Sequence, residues 1–204
     1  MKKIVLLGDS IRMIGYCEPV AERLSADFEV WQPKENCRFA YHTLRGLWDW
    51  KEGLSGADVI HWNNGLWDVC DLFGDGAFTP IGEYVEVMLR IASLLKKRAR
   101  TVIFATTTPV RSDNPHNKNS VIEEYNAALA PRLADMGIVI NDLYTPIAKD
   151  TDRFICDDRI HLSEEGKALA ADLVESVIRR EAEKLSDVER TESAGAADCD
   201  GAPV

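Results

Sequence analysis

Five short apolar runs, separated by stretches of helical periodicity, constrain this chain more than any other feature of it. Ile4-Val5-Leu6-Leu7 is a continuous apolar segment, as in a strand buried on both faces. Phe28-Glu29-Val30-Trp31, Asp58-Val59-Ile60-His61-Trp62, Val102-Ile103-Phe104-Ala105 and Ile138-Val139-Ile140 are the other candidate strands. Between them, Tyr84, Met88, Ile91 and Leu95 share one helical face, as do Ile122, Tyr125, Leu129, Leu133 and Met136, although Pro131 should bend that helix. A helix over Glu18 to Ser25 would hold Pro19 in its first turn. Leu169, Leu173, Val177 and Leu185 mark a last helix whose start is set by Ser163 and the two acids after it. This alternation predicts an α/β domain, a three-layer α/β/α sandwich around a five-stranded, mostly parallel, flavodoxin-like sheet.

The 204 residues suit one domain, expected over residues 1–186. The final segment, "DVERTESAGAADCDGAPV" at 187–204, lacks apolar periodicity and is expected to be a disordered acidic tail. The net charge is −10; five acids against one arginine after Leu185 account for −4 of it and leave −6 on the body. A body of that sign, with no basic block, excludes nucleic acid and anionic lipid as expected partners. The five cysteines are widely spaced and form no C-x-x-C pair, which reads as free thiols in a reducing compartment. The apolar run before Gly8 is too short for a signal peptide, and no stretch approaches a membrane span; a cytoplasmic location is expected.

Ligands of parallel sheets bind beyond the carboxyl ends of the strands. Gly8-Asp9-Ser10, Asn63-Asn64-Gly65 and Thr106-Thr107-Thr108-Pro109 all fall there. Ser10, at a strand-to-helix turn, is a nucleophile if a base takes its proton; otherwise it is a capping or turn serine. In "DDRIHLSEEGKAL" (157–169), Asp158 lies three residues before His161. Its carboxylate can orient one ring nitrogen and leave the other free to accept a proton, with Asp157 as an adjacent rival. The amides of Asn63 and Asn64 can each donate to an oxyanion, and Asn64-Gly65 equally suits a plain turn. Nucleophile, amide donor, base and acid at one sheet edge are the parts needed for acyl transfer.

With these parts the chain resembles the SGNH superfamily of hydrolases, the GDSL-type esterases and lipases, over residues 3–184. "LLGDSI" is similar to the family's nucleophile block, which implies Ser10 as nucleophile. "DRIH" matches D-x-x-H, which implies Asp158 and His161 as acid and base. "WNNG" stands where the family has G-x-N-D, which places the oxyanion amide at Asn64, with Asn63 as its rival. "NCRFAYHT" stands at the second block, whose glycine N–H joins the oxyanion hole. Counting along the motif puts Tyr41 there, with Arg38 as the other possible donor.

The resemblance implies a serine esterase working through an acyl-enzyme, with no metal and no cofactor. Asp9, Asn63 and Trp67 are expected to contact substrate. Trp31, Trp48, Trp50, Trp62 and Trp67 fall around two of the site segments and lean towards a short-chain ester such as an O-acetylated carbohydrate, Trp31 and Trp62 reading better as core. Thioesterase or lysophospholipase activity, or a catalytically silent ligand-binding relative, are the alternatives. His42, His61 and His116 show no ligand spacing. Loops 68–80 and 109–119 are placed to carry specificity.

Overall fold

The computed structural model describes the backbone of residues 1–197 and the side chains of residues 1–185. Strands β1 (Lys2–Leu7), β2 (Phe28–Trp31), β3 (Ala57–Asn63), β4 (Ala99–Ala105) and β5 (Val139–Asn141) form one sheet in the order β2-β1-β3-β4-β5, every neighbouring pair parallel. The five strands read from the apolar runs are these five, and the sheet is wholly rather than mostly parallel.

Two helical layers cover the sheet. Helices α1 (Cys17–Leu24) and α8 (Glu164–Ala197) pack together on one face. Helices α2 (Ala40–Asp49), α4 (Ile81–Lys96) and α5 (Asn119–Asp135) pack in sequence on the other. The division follows from handedness. The chain steps from β1 outward to β2, then returns past β1 to β3, and right-handed crossovers in opposite directions put their helices on opposite faces. The reversal lies between β1 and β3, where α/β sheets open a crevice. Ile4 to Leu7, Val59, Ile60, Ile103 and Phe104 are buried in the centre, and Trp62 meets Phe104 edge to face with ring centroids 5.0 Å apart.

Local chemistry sets some of the element ends. Ser163 Oγ accepts from the Gly166 N–H (3.1 Å) and Glu164 and Glu165 fill the first turn of α8, as expected. Helix α8 continues past Leu185 to Ala197, into the segment expected to lack regular structure; residues 198–204 lie outside the described residues. Helix α5 runs on through Pro131, which stands one turn from its end. The α1 helix is preceded by a π-helical turn, Arg12–Tyr16. Pro19 has no N–H to give Gly15 O, and the widened turn lies just before that break.

Helix α2 has no counterpart in the sequence reading, nor do the short α3 (Lys51–Leu54), α6 (Tyr144–Ala148) and α7 (Thr151–Phe154). The buried face of α2 is Ala40, Thr43, Gly46 and Leu47, mostly small or polar residues that leave no apolar periodicity to read. No described helix is long and apolar enough to cross a membrane.

Candidate active site

Strands β1 and β3 deliver two of the expected site segments side by side. After Leu7 the chain turns through Gly8 and Asp9, and Ser10 opens the helical segment. The Ser10 N–H is therefore a first-turn amide with no intrahelical acceptor. Asp9 Oδ1 accepts from the Ile11 N–H (3.0 Å) and from Asn63 Nδ2 (2.8 Å). Asp9 is only 1 % exposed, which corrects the expectation that it contacts substrate: the carboxylate is enclosed between the β1 and β3 ends and anchors Asn63. Burial pushes its pKa up, while Asn63, the Ile11 N–H and the Arg12 charge pull it down.

The two asparagines part company here. Asn63 Oδ1 accepts from Tyr16 OH (2.9 Å), and its Nδ2 spends one hydrogen on Asp9, the residue before Ser10. The carboxylate can only accept from this amide, so it sets which way the amide faces, and the second Nδ2 hydrogen has no partner among the described residues. Asn63 also lies against Gly8, where an added Cβ would stand 1.9 Å from Asn63 Oδ1, so only glycine leaves room for the amide. Asn64 is fully buried. Its Oδ1 accepts from Thr43 Oγ1 (2.9 Å) and Trp62 Nε1 (2.6 Å), and its Nδ2 donates to Arg38 O (2.7 Å). Asn64 thus ties α2 and the loop before it to β3, while Asn63, its rival, lies against Gly8 and Asp9, the two residues before Ser10.

The second block is displaced in the same way. Cys37 N–H donates to Gly8 O (3.1 Å), and Gly8 N–H to Cys37 Sγ (3.2 Å), so residues 37 and 38 lie against the turn that carries Ser10. Arg38 has a φ of 51°, the left-handed region that favours glycine. The glycine-like position is therefore Arg38, three residues before the place reached by counting. Its N–H donates to Asn36 Oδ1 (2.7 Å). Tyr41 stands inside α2, its side chain 43 % exposed and bonded towards Glu83. Arg12, fully buried, clamps this region: Nε donates to Gly8 O (3.2 Å), Nη1 to Gln32 Oε1 (3.1 Å) and Pro33 O (3.2 Å), and Nη2 to Glu35 O (2.7 Å). A buried arginine serving backbone carbonyls has no sequence pattern of its own.

At the other end of the chain, Asp158 Oδ2 lies 2.6 Å from His161 Nδ1. Asp158 Oδ1 accepts from the N–H groups of Ile160 (3.0 Å) and His161 (2.9 Å) and from Cys156 Sγ (3.1 Å). Partial burial works to raise the Asp158 pKa, but those donors outweigh it and hold the carboxyl well below its ordinary value. Arg159, at φ 71°, makes the turn that folds the carboxylate back on the ring. The rival Asp157 points to solvent and pairs with Arg111 (3.3 Å). Loop 109–119 braces this turn, since Arg111 N–H (3.1 Å) and Asn114 Nδ2 (3.1 Å) both donate to Arg159 O.

Ser10 and Ile160, the neighbour of His161, line one cavity of about 260 Å³. Among the described residues neither Ser10 Oγ nor His161 Nε2 has a hydrogen-bond partner. Trp67 lines the same cavity. The other tryptophans do not: Trp62 is core, Trp31 covers Gly53, Trp50 covers Gly46 and donates to Glu35 (2.7 Å), and Trp48 faces outward. Among the described residues no group of three or more His, Cys, Asp or Glu side chains is placed to hold a metal ion.

Asp68, which the sequence reading did not single out, secures the floor of loop 68–80. Its oxygens accept from the Ala40 N–H (3.1 Å to each), and Oδ1 also from Thr79 Oγ1 (2.8 Å). Burial raises its pKa to about 7 in spite of those donors. A carboxyl raised in the folded state contributes fully below its unfolded pKa, and that contribution drains away as pH climbs towards 7. Relative to Asp68→Asn, the wild type should lose stability between pH 4 and pH 8, by an amount on the order of 4 kcal/mol at most. Urea unfolding of both proteins at the two pH values checks this, and parallel pH dependences would refute it.

No protein-family model matches this sequence, and no curated protein matches it. Solved structures do. An acetyl xylan esterase, AlAXEase, superposes with a TM-score of 0.73 at 19% identity, over 86% of this chain and 99% of that one. The lipase/acylhydrolase from Enterococcus faecalis gives 0.74 at 22%, over 87% and 95%. A member of the lipolytic protein G-D-S-L family from Veillonella parvula DSM 2008 gives 0.71 at 20%, over 88% and 100%. The three-layer sandwich is thus the fold of the GDSL-type, or SGNH, esterases. The resemblance drawn from the sequence motifs holds at the level of that fold.

Proposed function

We propose that the protein is a serine esterase that cleaves small-molecule carboxylic esters through an acyl-enzyme. The observation that carries this is the Asp158–His161 pair, 2.6 Å apart, beside a cavity that Ser10 lines from the opposite end of the chain. Asp158, held ionised by its donors, keeps the Nδ1 proton in place and leaves Nε2 as the basic atom. His161 Nε2 takes the Ser10 proton as Oγ bonds to the ester carbonyl carbon. The carbonyl oxygen, now negative, receives hydrogen bonds from the Ser10 N–H, from the spare Asn63 Nδ2 hydrogen and from the Arg38 N–H, where it replaces Asn36 Oδ1. The intermediate expels the alcohol, which takes the proton from His161. Water then gives a proton to His161, attacks the acyl-enzyme and releases the acid, and the proton returns to Ser10. The Ser10–His161 hydrogen bond forms as substrate seats, which is common in sites of this kind.

The structural neighbours include an acetyl xylan esterase and a lipase/acylhydrolase, so they support both an O-acetylated carbohydrate and a more apolar acyl ester as substrate. A second reading, a silent relative that only binds a ligand, draws on the unbonded Ser10 and the Arg38 N–H already occupied by Asn36. A fluorophosphonate separates the two. The serine esterase should gain one adduct by intact mass, mapped to Ser10 and absent from Ser10→Ala. An unlabelled wild-type protein would establish the silent reading.

A further inference from the structure

The cavity beside Ser10 is almost wholly apolar, and this bears on the substrate. Its walls include Phe39, Trp67, Leu72, Phe78 and Ile160. Two polar residues reach it. One is Ser10, the proposed nucleophile. The other is Asn117, whose Nδ2 gives one hydrogen to Leu66 O (2.8 Å) and which is 4 % exposed. Beyond these, only the Trp67 indole N–H and the Cys70 thiol could meet a hydroxyl, so a sugar ring seated here would leave most of its hydroxyls unpaired.

The volume argues in the same direction. About 260 Å³ is far more than an acetyl methyl group fills, and an empty apolar void beside a bound acyl group forfeits both contact and transfer energy. The wall is firm where it nears the chemistry. Phe39 and Phe78 meet edge to face at 5.4 Å, Phe78 N–H donates to Cys70 O (2.9 Å), and Asp71 N–H donates to His116 O (2.9 Å), which fastens loop 68–80 to loop 109–119. Towards solvent it stays apolar, with Leu72 51 % exposed at the mouth.

We propose that this cavity is an acyl-binding site and that the substrate carries an unbranched apolar acyl group longer than acetyl, of butyryl to octanoyl size, with the segment Trp67–Phe78 setting the length. The inference rests on the esterase reading. The acyl chain lies among Phe39, Leu72 and Phe78 with its carbonyl at Ser10, and the alcohol leaves towards His161.

The test is a chain-length series of p-nitrophenyl esters (acetate, butyrate, hexanoate, octanoate) and an acetylated xylo-oligosaccharide, with wild type and Leu72→Glu. Each added methylene that enters the cavity is worth about four-fold in kcat/KM, so the wild type should favour hexanoate over acetate by at least about ten-fold. Leu72 stands at the surface, where a glutamate leaves the fold intact by circular dichroism, and the substitution should collapse the hexanoate-to-acetate ratio by about ten-fold or more. Acetate or the acetylated sugar as the best substrate, or a flat series, overturns the acyl site and leaves the esterase standing. No hydrolysis of any ester, together with no fluorophosphonate label, overturns the esterase reading itself.

Discussion

Ser10→Ala is expected to lower kcat on p-nitrophenyl esters by roughly 10⁴- to 10⁶-fold, with KM little changed. The hydroxyl is the only group proposed to bond the carbonyl carbon, and alanine leaves the surrounding Asp9 and Asn63 contacts in place. His161→Ala should fall in the same range, because without Nε2 the hydroxyl has no base. The double variant should be no slower than either single one, since the two residues act as a unit. Steady-state kinetics on the three proteins, with melting curves to show that each is folded, checks this. A single variant that keeps more than about a tenth of the wild-type rate would remove Ser10 and His161 from the chemistry.

Asn63→Ala should lower kcat by about 100- to 1000-fold, as when one oxyanion donor is lost, and it also severs two buried hydrogen bonds, to Tyr16 and Asp9, at about 1 kcal/mol or more each. Asn64→Ala should cost stability with little direct effect on the chemistry. Its amide holds Thr43, Trp62 and the Arg38 carbonyl, all of them buried or part-buried partners, so its loss unseats the start of α2 and loosens the fold. Three severed buried hydrogen bonds predict a fall of a few kcal/mol in unfolding free energy, at about 1 kcal/mol or more each. Kinetics on the two variants, with urea unfolding to show that each is folded, ranks Asn63→Ala far below Asn64→Ala in kcat if the assignment is right. A larger kinetic loss in a well-folded Asn64→Ala would return the oxyanion amide to Asn64.

Much of the fold was legible in the residues. The run Ile4 to Leu7 is apolar on both faces because both helical layers cover β1, a need shared in this sheet by the other inner strands. Ser163 with two following acids announced α8 because capping is a local matter of a few residues. The Asp158–His161 pair was legible for the same reason: three residues and one left-handed turn bring carboxylate and ring together. The second block was not. The position that takes the glycine-like φ carries an arginine, so counting along a motif built on glycine settled on Tyr41. Arg12 and Asp68 carry no sequence signal because most of their partners are backbone or neutral polar groups 11 to 28 residues away, which leave no spacing to detect.

What the order of residues determined by itself was the alternation of strands and helices, and with it the edge of the sheet at which Ser10, the two asparagines and the Asp158–His161 pair must emerge. Periodicity and caps are written over a few neighbouring residues, so they survive translation into a one-dimensional string. Only the tertiary structure decided that Asn63 is held by Asp9 and Tyr16 while Asn64 braces α2, that Arg38 takes the glycine-like turn, and that Phe39, Leu72, Phe78 and Ile160 close around one apolar cavity. Those outcomes depend on how four separate strand-end loops pack against each other, and adjacent asparagines of identical chemistry are told apart only by which way the end of β3 turns them.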